Sequence, residues 1–229
     1  MTGERRKFRH QGEERRRDSL IWAALDLVAD GGPGSATVRA IAAKAGVSQG
    51  LIRHYFDSKD ALTRAAYHAL MTKMTDDNLA VLEAAPAQPE ARLAAFIAGS
   101  LRAPSVDARA MGLWAGFMTE VRSDPAMRTV HEETYLRYRS LLETLIAALP
   151  TAKPAGGAIA PAMLRGLAIA CTALVDGLWL EGCALPNGFA PDELARIGVR
   201  SIGAILGHDL ERHMTAPVSL PSEPEKISA

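Results

Sequence analysis

The stretch Thr37–Lys59, TVRAIAAKAGVSQGLIRHYFDSK, decides how the rest of this chain is interpreted. Its apolar residues from Val38 to Ala45 lie three, one and three positions apart, which is one face of a helix. Gly46 interrupts this pattern, and Ser48 is placed to cap a second short helix through its hydroxyl. Two short helices joined by a tight glycine turn form a helix-turn-helix. The second helix of that motif lies in the major groove of DNA.

The second helix would run from Ser48 to Tyr55, and several of its residues off the apolar face suit contacts to DNA. These residues are Gln49, Gly50, Arg53 and His54. Arg53 suits a bidentate contact to guanine and Gln49 one to adenine, and at four positions apart they share one helix face. Gly50 between them allows the backbone to approach closely. An ordinary helical hairpin is the alternative that such a short pattern leaves open.

The stretch resembles the TetR family of one-component transcriptional regulators, through TVRAIAAKAGVS, the helix ending in HYF and the following DSKDAL. Gly50–Leu62 and Ala173–Gly182 are similar to segments of its BetI subgroup, the choline-responsive repressors of glycine-betaine synthesis. The resemblance implies a homodimer that binds operator DNA and responds to a small molecule. It also implies phosphate contacts from a set of matching positions. These are Thr37, Ser48, Tyr55 and Lys59.

The composition is that of a soluble globular protein whose charge is unevenly spread. Hydrophobic residues make up 48% of the 229 residues, which is enough for a sizeable core. Residues 1–64 hold 12 Lys and Arg against 8 Asp and Glu, a surplus of four positive charges that the rest of the chain balances to zero. A basic head on an acidic body suits a protein that binds DNA through one end.

Targeting and redox features point to the cytoplasm. The Arg-rich N-terminus has no apolar signal-peptide core, and the longest uncharged run of the most apolar segment is only Gly166–Val175. Cys171 and Cys183 would lie about 18 Å apart along one helix, too far for a disulfide. Two free thiols suit a reducing compartment, and we interpret them as small buried apolar residues. A redox sensor is the alternative, which the lack of closely flanking basic residues disfavours.

The remaining periodicity predicts an all-α protein of about nine helices, with a three-helix DNA-binding head and a helical body for effector binding and dimerisation. We expect the head and its N-terminal arm over residues 1–60, the body over 61–214 and a disordered tail over 215–229. The arm, residues 1–12, has no apolar period, so we expect it to be mobile, contacting DNA or simply solvated. In addition to the two short helices, the pattern predicts seven helices and a loop at 150–157. The seven helices cover 13–31, 58–83, 90–102, 107–123, 126–149, 161–185 and 191–213.

The last two of these helices predict a dimer interface. The helix at 163–182 is apolar nearly all round, and a helix of that kind must be buried on every side. In a chain of this size a partner subunit would cover one face, forming a four-helix interface with the helix at 191–213; burial wholly within one chain is the alternative. The candidate interface residues are Leu164, Leu167, Cys171, Leu174, Leu178, Ile197, Ser201, Ile202 and Ile205.

The body supplies aromatic residues at helical spacing that suit an effector pocket. Aromatic faces attract cations such as quaternary ammonium groups, and a buried carboxylate would add to that attraction. Choline, betaine aldehyde or a polyamine would therefore fit. Simple helix packing is the alternative explanation of the rings. The candidate pocket residues are Trp114, Phe117, Glu120, Tyr135, Tyr138, Asp176 and Trp179.

No motif of an enzyme, cofactor site or metal site accompanies these patterns. The chain lacks a phosphate-cradling glycine loop and a nucleophile elbow, and its six histidines lack the i, i+4 pairing of helical metal sites. We therefore expect a DNA-binding regulator that is not an enzyme and carries no cofactor. A repressor is the main hypothesis. An activator, or a constitutive DNA-binding protein without an effector, remains an alternative.

Overall fold

The computed structural model describes residues 2–150 and 159–216, and the expected all-α architecture is confirmed in those ranges. They contain nine α-helices, two short 3-10 turns at Pro33–Ser35 and Glu211–His213, and no strand. The helices are α1 (Thr2–Gly31), α2 (Val38–Lys44), α3 (Gln49–Tyr55), α4 (Lys59–Ala84), α5 (Pro89–Ser100), α6 (Ala108–Ser123), α7 (Pro125–Ala147), α8 (Pro161–Ala184) and α9 (Glu193–Leu206).

Helix α1 begins much earlier than the apolar pattern indicated. The expectation of a non-helical arm over residues 1–12 is wrong, because the helix already starts at Thr2. The early segment is polar but rich in Glu, Arg, Lys and Gln, which are good helix formers. Extending an existing helix also avoids the cost of nucleating a new one. The intrinsic helix propensity of these residues therefore extends α1 beyond the residues that pack against the core.

The chain divides into two compact units that do not coincide with a single cut in the sequence. The first comprises residues up to Thr72 together with Arg109–Tyr135, and the second comprises Lys73–Ala108 together with the residues from Leu136 onward. The long helices α4 and α7 each contribute to both units. The expected division at residue 60 stays a prediction, but the contacts group α6 and the first half of α7 with the helix-turn-helix.

The first unit packs the helix-turn-helix against α1 and includes a close approach of α6. A methyl group at Gly116 of α6 would lie 3.3 Å from both Val28 of α1 and Pro33 of the following turn. Because contacts at that distance are tighter than most side chains accept, glycine allows the close approach. The apolar core of this unit that orients α2 and α3 includes Leu20, Ile21, Ala24, Leu25, Val28, Ile41, Ala42, Ile52 and Leu62.

The second unit is built around α5, which is buried on nearly every side, since only Arg92 and Gly99 between Ala91 and Ser100 are not fully buried. The end of α5 is tied to the start of α9 by Arg102, whose guanidinium donates to both carboxylate oxygens of Asp192 at 2.6 and 2.7 Å. The Arg102 guanidinium holds the pKa of Asp192 below its usual range. This ion pair places the beginning of α9 beside the buried helix.

Helix α9 ends earlier than the sequence pattern predicted. We expected it to continue to residue 213, which is wrong, since it stops at Leu206. Gly207 adopts a left-handed conformation with φ +72° and donates its N–H to the Gly203 carbonyl, which is a common way for helices to end. The predicted loop at 150–157 and the predicted tail lie almost wholly outside the described residues.

The two cysteines behave as buried apolar residues. Both are free and buried in α8. Burial raises the pKa of the Cys171 thiol to about 11 and also raises the pKa of Cys183. Since only the thiolate is reactive, protonated thiols in these positions are inert at neutral pH.

Candidate DNA-reading surface, effector region and dimer face

Helix α3 presents its polar residues outward, as the sequence predicted. Gln49, Gly50, Arg53 and His54 are all exposed, whereas Ile52 is only 2% exposed and anchors the helix to α2. The helix is seven residues long, so one buried side chain and two half-buried neighbours fix its orientation. The arrangement leaves two long hydrogen-bonding side chains and an imidazole on one accessible face.

The turn between α2 and α3 depends on Gly46. Its φ is +66°, in the left-handed region where a side chain would be strained. The next residue, Val47, donates its N–H to the Ala42 carbonyl at 2.9 Å and closes the turn. A single glycine therefore sets the angle at which α3 leaves the buried α2.

Of the four residues predicted to contact phosphates, some are accessible and others already make contacts within the chain. Thr37 is exposed, but its hydroxyl already accepts the N–H of Ala40 at 3.1 Å as a cap of α2. The expectation that Ser48 caps α3 through its hydroxyl is wrong, because Ser48 occupies the cap position without a side-chain hydrogen bond. Tyr55 is half-buried and meets the His54 ring edge-on at 5.1 Å. Lys59 is exposed at the start of α4.

Ser58 caps the start of α4, which follows α3 in the chain. Its hydroxyl accepts the N–H of Ala61 at 3.0 Å. Capping of this kind stabilises a helix by roughly 1 kcal/mol. Lys59 is the first residue of this capped helix.

Arg17 of α1 is a part of this region that the sequence pattern did not reveal. Its guanidinium lies 5.1 Å from the centre of the Phe56 ring, in a cation–π contact at the end of α3. Arg17 remains exposed while Phe56 is buried. Arg17 therefore both holds the end of the reading helix and adds a positive charge near it. Residues 39 positions apart leave no periodic signal, which explains why it was missed.

An ion-pair cluster links the helix-turn-helix to α6 within the first unit. Lys44, in the last turn of α2, lies 3.5 Å from Asp26 and 3.8 Å from Asp30 of α1. Arg109 of α6 pairs with the same two carboxylates, contacting Asp26 directly and Asp30 at 3.7 Å. Two cations from different helices thus share two carboxylates of α1. All four side chains are partly exposed, so each pair contributes little on its own and is screened by salt.

The predicted pocket residues of the first unit fall into an aromatic cluster. Phe117 is buried against Tyr67, with ring centres 5.0 Å apart. His131 stacks against Tyr67 and Tyr135, and Tyr67 shares a 2.7 Å hydrogen bond with the His131 Nδ1. Trp114 and Glu120 are half-buried on the same helix as Phe117. Sequence reasoning missed Tyr67, which lies on α4 away from the other candidates, and His131, which lies on α7 one turn before Tyr135 but is not an aromatic residue of the kind sought.

Tyr67 is held in its protonated form in this cluster. Burial raises the pKa of Tyr67 well above its usual range. Its hydroxyl shares a proton-mediated hydrogen bond with the His131 Nδ1 at 2.7 Å. The imidazole covers ring faces of Tyr67 and Tyr135, so in this conformation those faces pack against a histidine.

The predicted pocket residues of the second unit have different surroundings. Tyr138 is half-buried, stacks on Phe96 at 5.1 Å and hydrogen-bonds to Ser100. Trp179 is 9% exposed and donates its indole N–H to the Ser105 carbonyl at 2.7 Å, as a packed core residue does. Asp176 was a candidate to add a negative charge if buried, and it lies on the exposed face of α8.

Helices α8 and α9 present an apolar surface to the outside of the chain. Exposed large side chains there include Met163 at 58%, Leu180 at 45% and Ile205 at 43%. Between them α8 exposes small residues that allow another helix to approach closely. These are Gly166, Ala170, Ala173 and Gly177.

Most, but not all, of the predicted interface residues lie on this surface. Cys171 and Ile202 were wrongly included, because both are 0% exposed within their own chain and cannot contact a partner. Ile205 is exposed. The remaining candidates are half-buried: Leu164, Leu167, Leu174, Leu178, Ile197 and Ser201.

Helix α8 is unusually apolar for a helix with so little cover. By length and composition alone it could cross a membrane, with a mean hydropathy of 1.5 in its most apolar window, of which only 22% is buried. Arg165, Asp176 and Glu181 interrupt it and are all exposed. Charged residues at those positions suit contact with water or another protein better than contact with lipid.

Two segments of the chain match known protein families. Residues 20–66 match the family described as bacterial regulatory proteins, tetR family. Residues 89–207 match the family described as BetI-type transcriptional repressor, C-terminal. The two matches cover the helix-turn-helix and most of the helical body.

Individual relatives agree with these matches. The HTH-type transcriptional regulator BetI of Burkholderia thailandensis is 32% identical over 76% of this chain and 85% of its own length. The BetI protein of Pseudomonas aeruginosa PAO1 is 34% identical over 80% of this chain and 88% of its own length. The families and relatives matched are transcriptional regulators, which excludes the enzyme alternative.

Solved structures share the fold. A transcriptional regulator from Pseudomonas aeruginosa PAO1 superimposes with a TM-score of 0.75 at 34% identity, over 88% of this chain and 95% of that one. A regulator from Saccharomonospora viridis, solved in complex with choline, superimposes with a TM-score of 0.65 over 86% of this chain and 97% of that one. The latter is 20% identical, so it shows a common fold alone.

Proposed function

We propose that this chain, which belongs to the TetR family of bacterial regulatory proteins, is a cytoplasmic repressor. It binds a palindromic operator as a homodimer and releases the operator on binding a small molecule. That it is a DNA-binding transcriptional regulator follows from the family itself. Operator binding, dimerisation and the response to a small molecule are the proposed parts. The observation that carries them is the exposed polar face of α3, which the buried Ile52 anchors.

Base reading is assigned to the exposed face of α3. Arg53 would donate two hydrogen bonds to guanine and Gln49 would form a pair with adenine. Gly50 lets the helix backbone approach the base edges, and His54 reaches a base or a phosphate. Ser48 and Lys59 are the best placed of the expected phosphate contacts, followed by Thr37 and Tyr55, whose polar atoms are partly engaged or covered.

A homodimer is supported by the apolar surface of α8 and α9. One chain leaves Met163, Leu180 and Ile205 exposed beside a row of small residues on α8. A second copy that lays the same two helices on this surface would bury it with the two-fold symmetry most soluble dimers use. Such a dimer would carry two copies of α3, one for each half-site of the DNA.

The proposal is tested by selecting bound fragments from a random DNA library with the full chain and footprinting the selected sequence. We expect an inverted repeat whose half-sites are a whole number of helical turns apart. Protection of one asymmetric half-site at every protein concentration would contradict the dimeric mode of binding. The genes that flank natural copies of the site would then distinguish a repressor from an activator.

The effector is proposed to be a small organic cation, with a quaternary ammonium group or a polyamine as the leading classes. Support comes from Trp114 and Tyr135, two half-buried aromatic residues of the first unit. Glu120 is a half-buried carboxylate on the same helix as Trp114. Aromatic faces and a carboxylate both favour a positive charge. Phe117, Trp179 and Asp176 are weaker candidates for direct contact because the first two are buried and the last is exposed.

Titration with choline should change the intrinsic tryptophan fluorescence at micromolar to millimolar ligand and lower the affinity for the selected operator. The change is expected because Trp114 lies on α6 together with the candidate residues Phe117 and Glu120. Sodium chloride at equal ionic strength is the control for screening of the DNA contacts. If neither fluorescence nor operator affinity responds at millimolar choline, the choline form of the proposal is wrong.

A further inference from the structure

Arg17 of α1 reaches the residue at which the base-reading helix α3 ends. Its guanidinium carbon lies 5.1 Å from the centre of the Phe56 ring. Phe56 has an extended backbone, and its N–H donates to the Ile52 carbonyl at 2.9 Å to close α3. In the chain it lies between Tyr55 and Lys59, two residues expected to contact phosphates. The charge of Arg17 is therefore held at the segment where a DNA backbone is expected.

The contact with the ring leaves the hydrogen-bonding groups of Arg17 unused. Phe56 is only 5% exposed, whereas Arg17 is exposed, so the core fixes the ring while the guanidinium stays accessible. Within the described ranges the side chain of Arg17 makes no hydrogen bond and no ion pair. A guanidinium carries five N–H donors and can pack against a ring while presenting them to another partner. These donors are available to an acceptor from outside the chain.

Acidic residues near Phe56 in the sequence do not occupy these donors. Asp57 follows Phe56 directly and Asp60 lies in the first turn of α4, and both are exposed. Neither carboxylate pairs with Arg17 in the described structure. An exposed pair of that kind would contribute little in any case. A phosphate is the better acceptor, because two parallel N–H groups of a guanidinium match two of its oxygens.

The direction of Arg17 distinguishes it from a second exposed arginine of the same helix. Arg15 and Arg17 both belong to α1, which is continuous from Thr2. At 3.6 residues per turn, Arg15 points about 200° away from Arg17 around the helix axis. Arg17 instead lies on the side of the buried Leu20, three positions later. General attraction to DNA would make the two arginines equivalent, whereas contact with a phosphate beside Phe56 requires the direction of Arg17.

We propose that Arg17 donates a bidentate hydrogen bond to an operator phosphate beside the end of α3, and that the Phe56 ring holds the guanidinium in place for this contact. The proposal rests on the operator binding proposed above and adds a residue from outside the helix-turn-helix to the DNA-contacting surface. A guanidinium that is held before binding loses less conformational freedom when it meets its partner. Because the contact is to the backbone, it fixes the position of α3 without selecting a base.

The test measures the affinity of the full-length protein for the selected operator at a series of salt concentrations, by fluorescence anisotropy. Arg17→Ala should weaken binding about tenfold, the effect of one charged hydrogen bond. It should also lower the slope of log affinity against log salt by about one unit for each subunit bound. Arg15→Ala is the matched control, since it removes the same charge from the opposite side of the helix, and its slope should stay close to that of the wild type.

Two further variants test whether the ring holds the guanidinium. Arg17→Lys keeps the charge without the planar group, so it should keep most of the salt slope and bind about threefold more weakly. Phe56→Leu removes the ring but keeps an apolar side chain, so Arg17→Ala should cause a smaller loss in this background than in the wild type. If circular dichroism shows that Phe56→Leu does not fold, Arg17→Lys decides, and wild-type affinity in that variant overturns the role of the ring.

The salt slope separates a phosphate contact from mere support of α3. An unchanged slope in Arg17→Ala overturns the proposal even if the affinity falls, because a residue that only supports Phe56 neutralises no phosphate. Equal changes of slope in Arg15→Ala and Arg17→Ala also overturn it, since the overall charge of α1 would explain both. If the wild type selects no operator, the operator binding proposed above fails together with this contact. If it selects one and Arg17→Ala keeps the wild-type slope, this contact alone fails.

Discussion

Replacement of Arg53 by alanine is expected to lower the affinity for the selected operator by about 5- to 150-fold, and to lower it much less for random DNA. A bidentate pair between a guanidinium and guanine discriminates by about 1–3 kcal/mol against the wrong base. Arg53 is exposed on α3, and its removal leaves the buried anchor Ile52 in place, so folding should not change. Fluorescence anisotropy with labelled duplexes measures both affinities.

The matched control is Lys59→Ala, at an exposed position where a phosphate contact is expected. That variant should weaken operator and random DNA by similar factors and reduce the slope of affinity against salt by about one unit. Arg53→Ala should instead relax the preference at a single base position when the operator is varied. Equal losses on both kinds of DNA in Arg53→Ala would show that it does not read a base.

The reading head was predictable because its determinants are local. One glycine with positive φ and apolar residues at helical spacing are enough to define α2, the turn and α3. Which side chains of α3 face outward then follows from the buried position of Ile52. Ser48 shows the limit of this reasoning, since sequence identifies a cap position but not whether the hydroxyl makes the capping bond.

Periodicity was less informative where a helix is apolar on all sides. In α8 it could not separate residues covered by their own chain from residues left for a partner, and Cys171 was assigned to the wrong group. The same limit placed Ile202 of α9 at the interface. Only the arrangement of α5 against α8 and α9 decides which side is already covered, and that arrangement depends on contacts between distant parts of the chain.

Contacts between distant residues were invisible to sequence reasoning for a different reason. The Arg17–Phe56 pair and the shared carboxylates of Asp26 and Asp30 each join separate helices. Single charged residues on different helices produce no recurring pattern. Such contacts can be identified only once the fold has brought the residues together.

Ala173→Glu is expected to convert the protein to a monomer and to lower operator affinity by roughly a hundredfold or more. Ala173 is exposed in the middle of the small-residue row of α8, where a second copy would have to approach closely. A carboxylate buried there without a partner opposes association, because an unpaired charge is costly to remove from water. Loss of the linkage between two reading helices then removes the avidity of binding two half-sites at once.

Sedimentation equilibrium and circular dichroism measure the two relevant properties of this variant. Helical content should stay as in the wild type, because the neighbouring core residue Thr172 faces inward and Ala173 does not. Ala80→Glu is the matched control, an alanine-to-glutamate change at an exposed position within α4, and it should remain dimeric. A dimeric Ala173→Glu protein with wild-type operator affinity would show that the apolar face of α8 is covered by something other than a second copy.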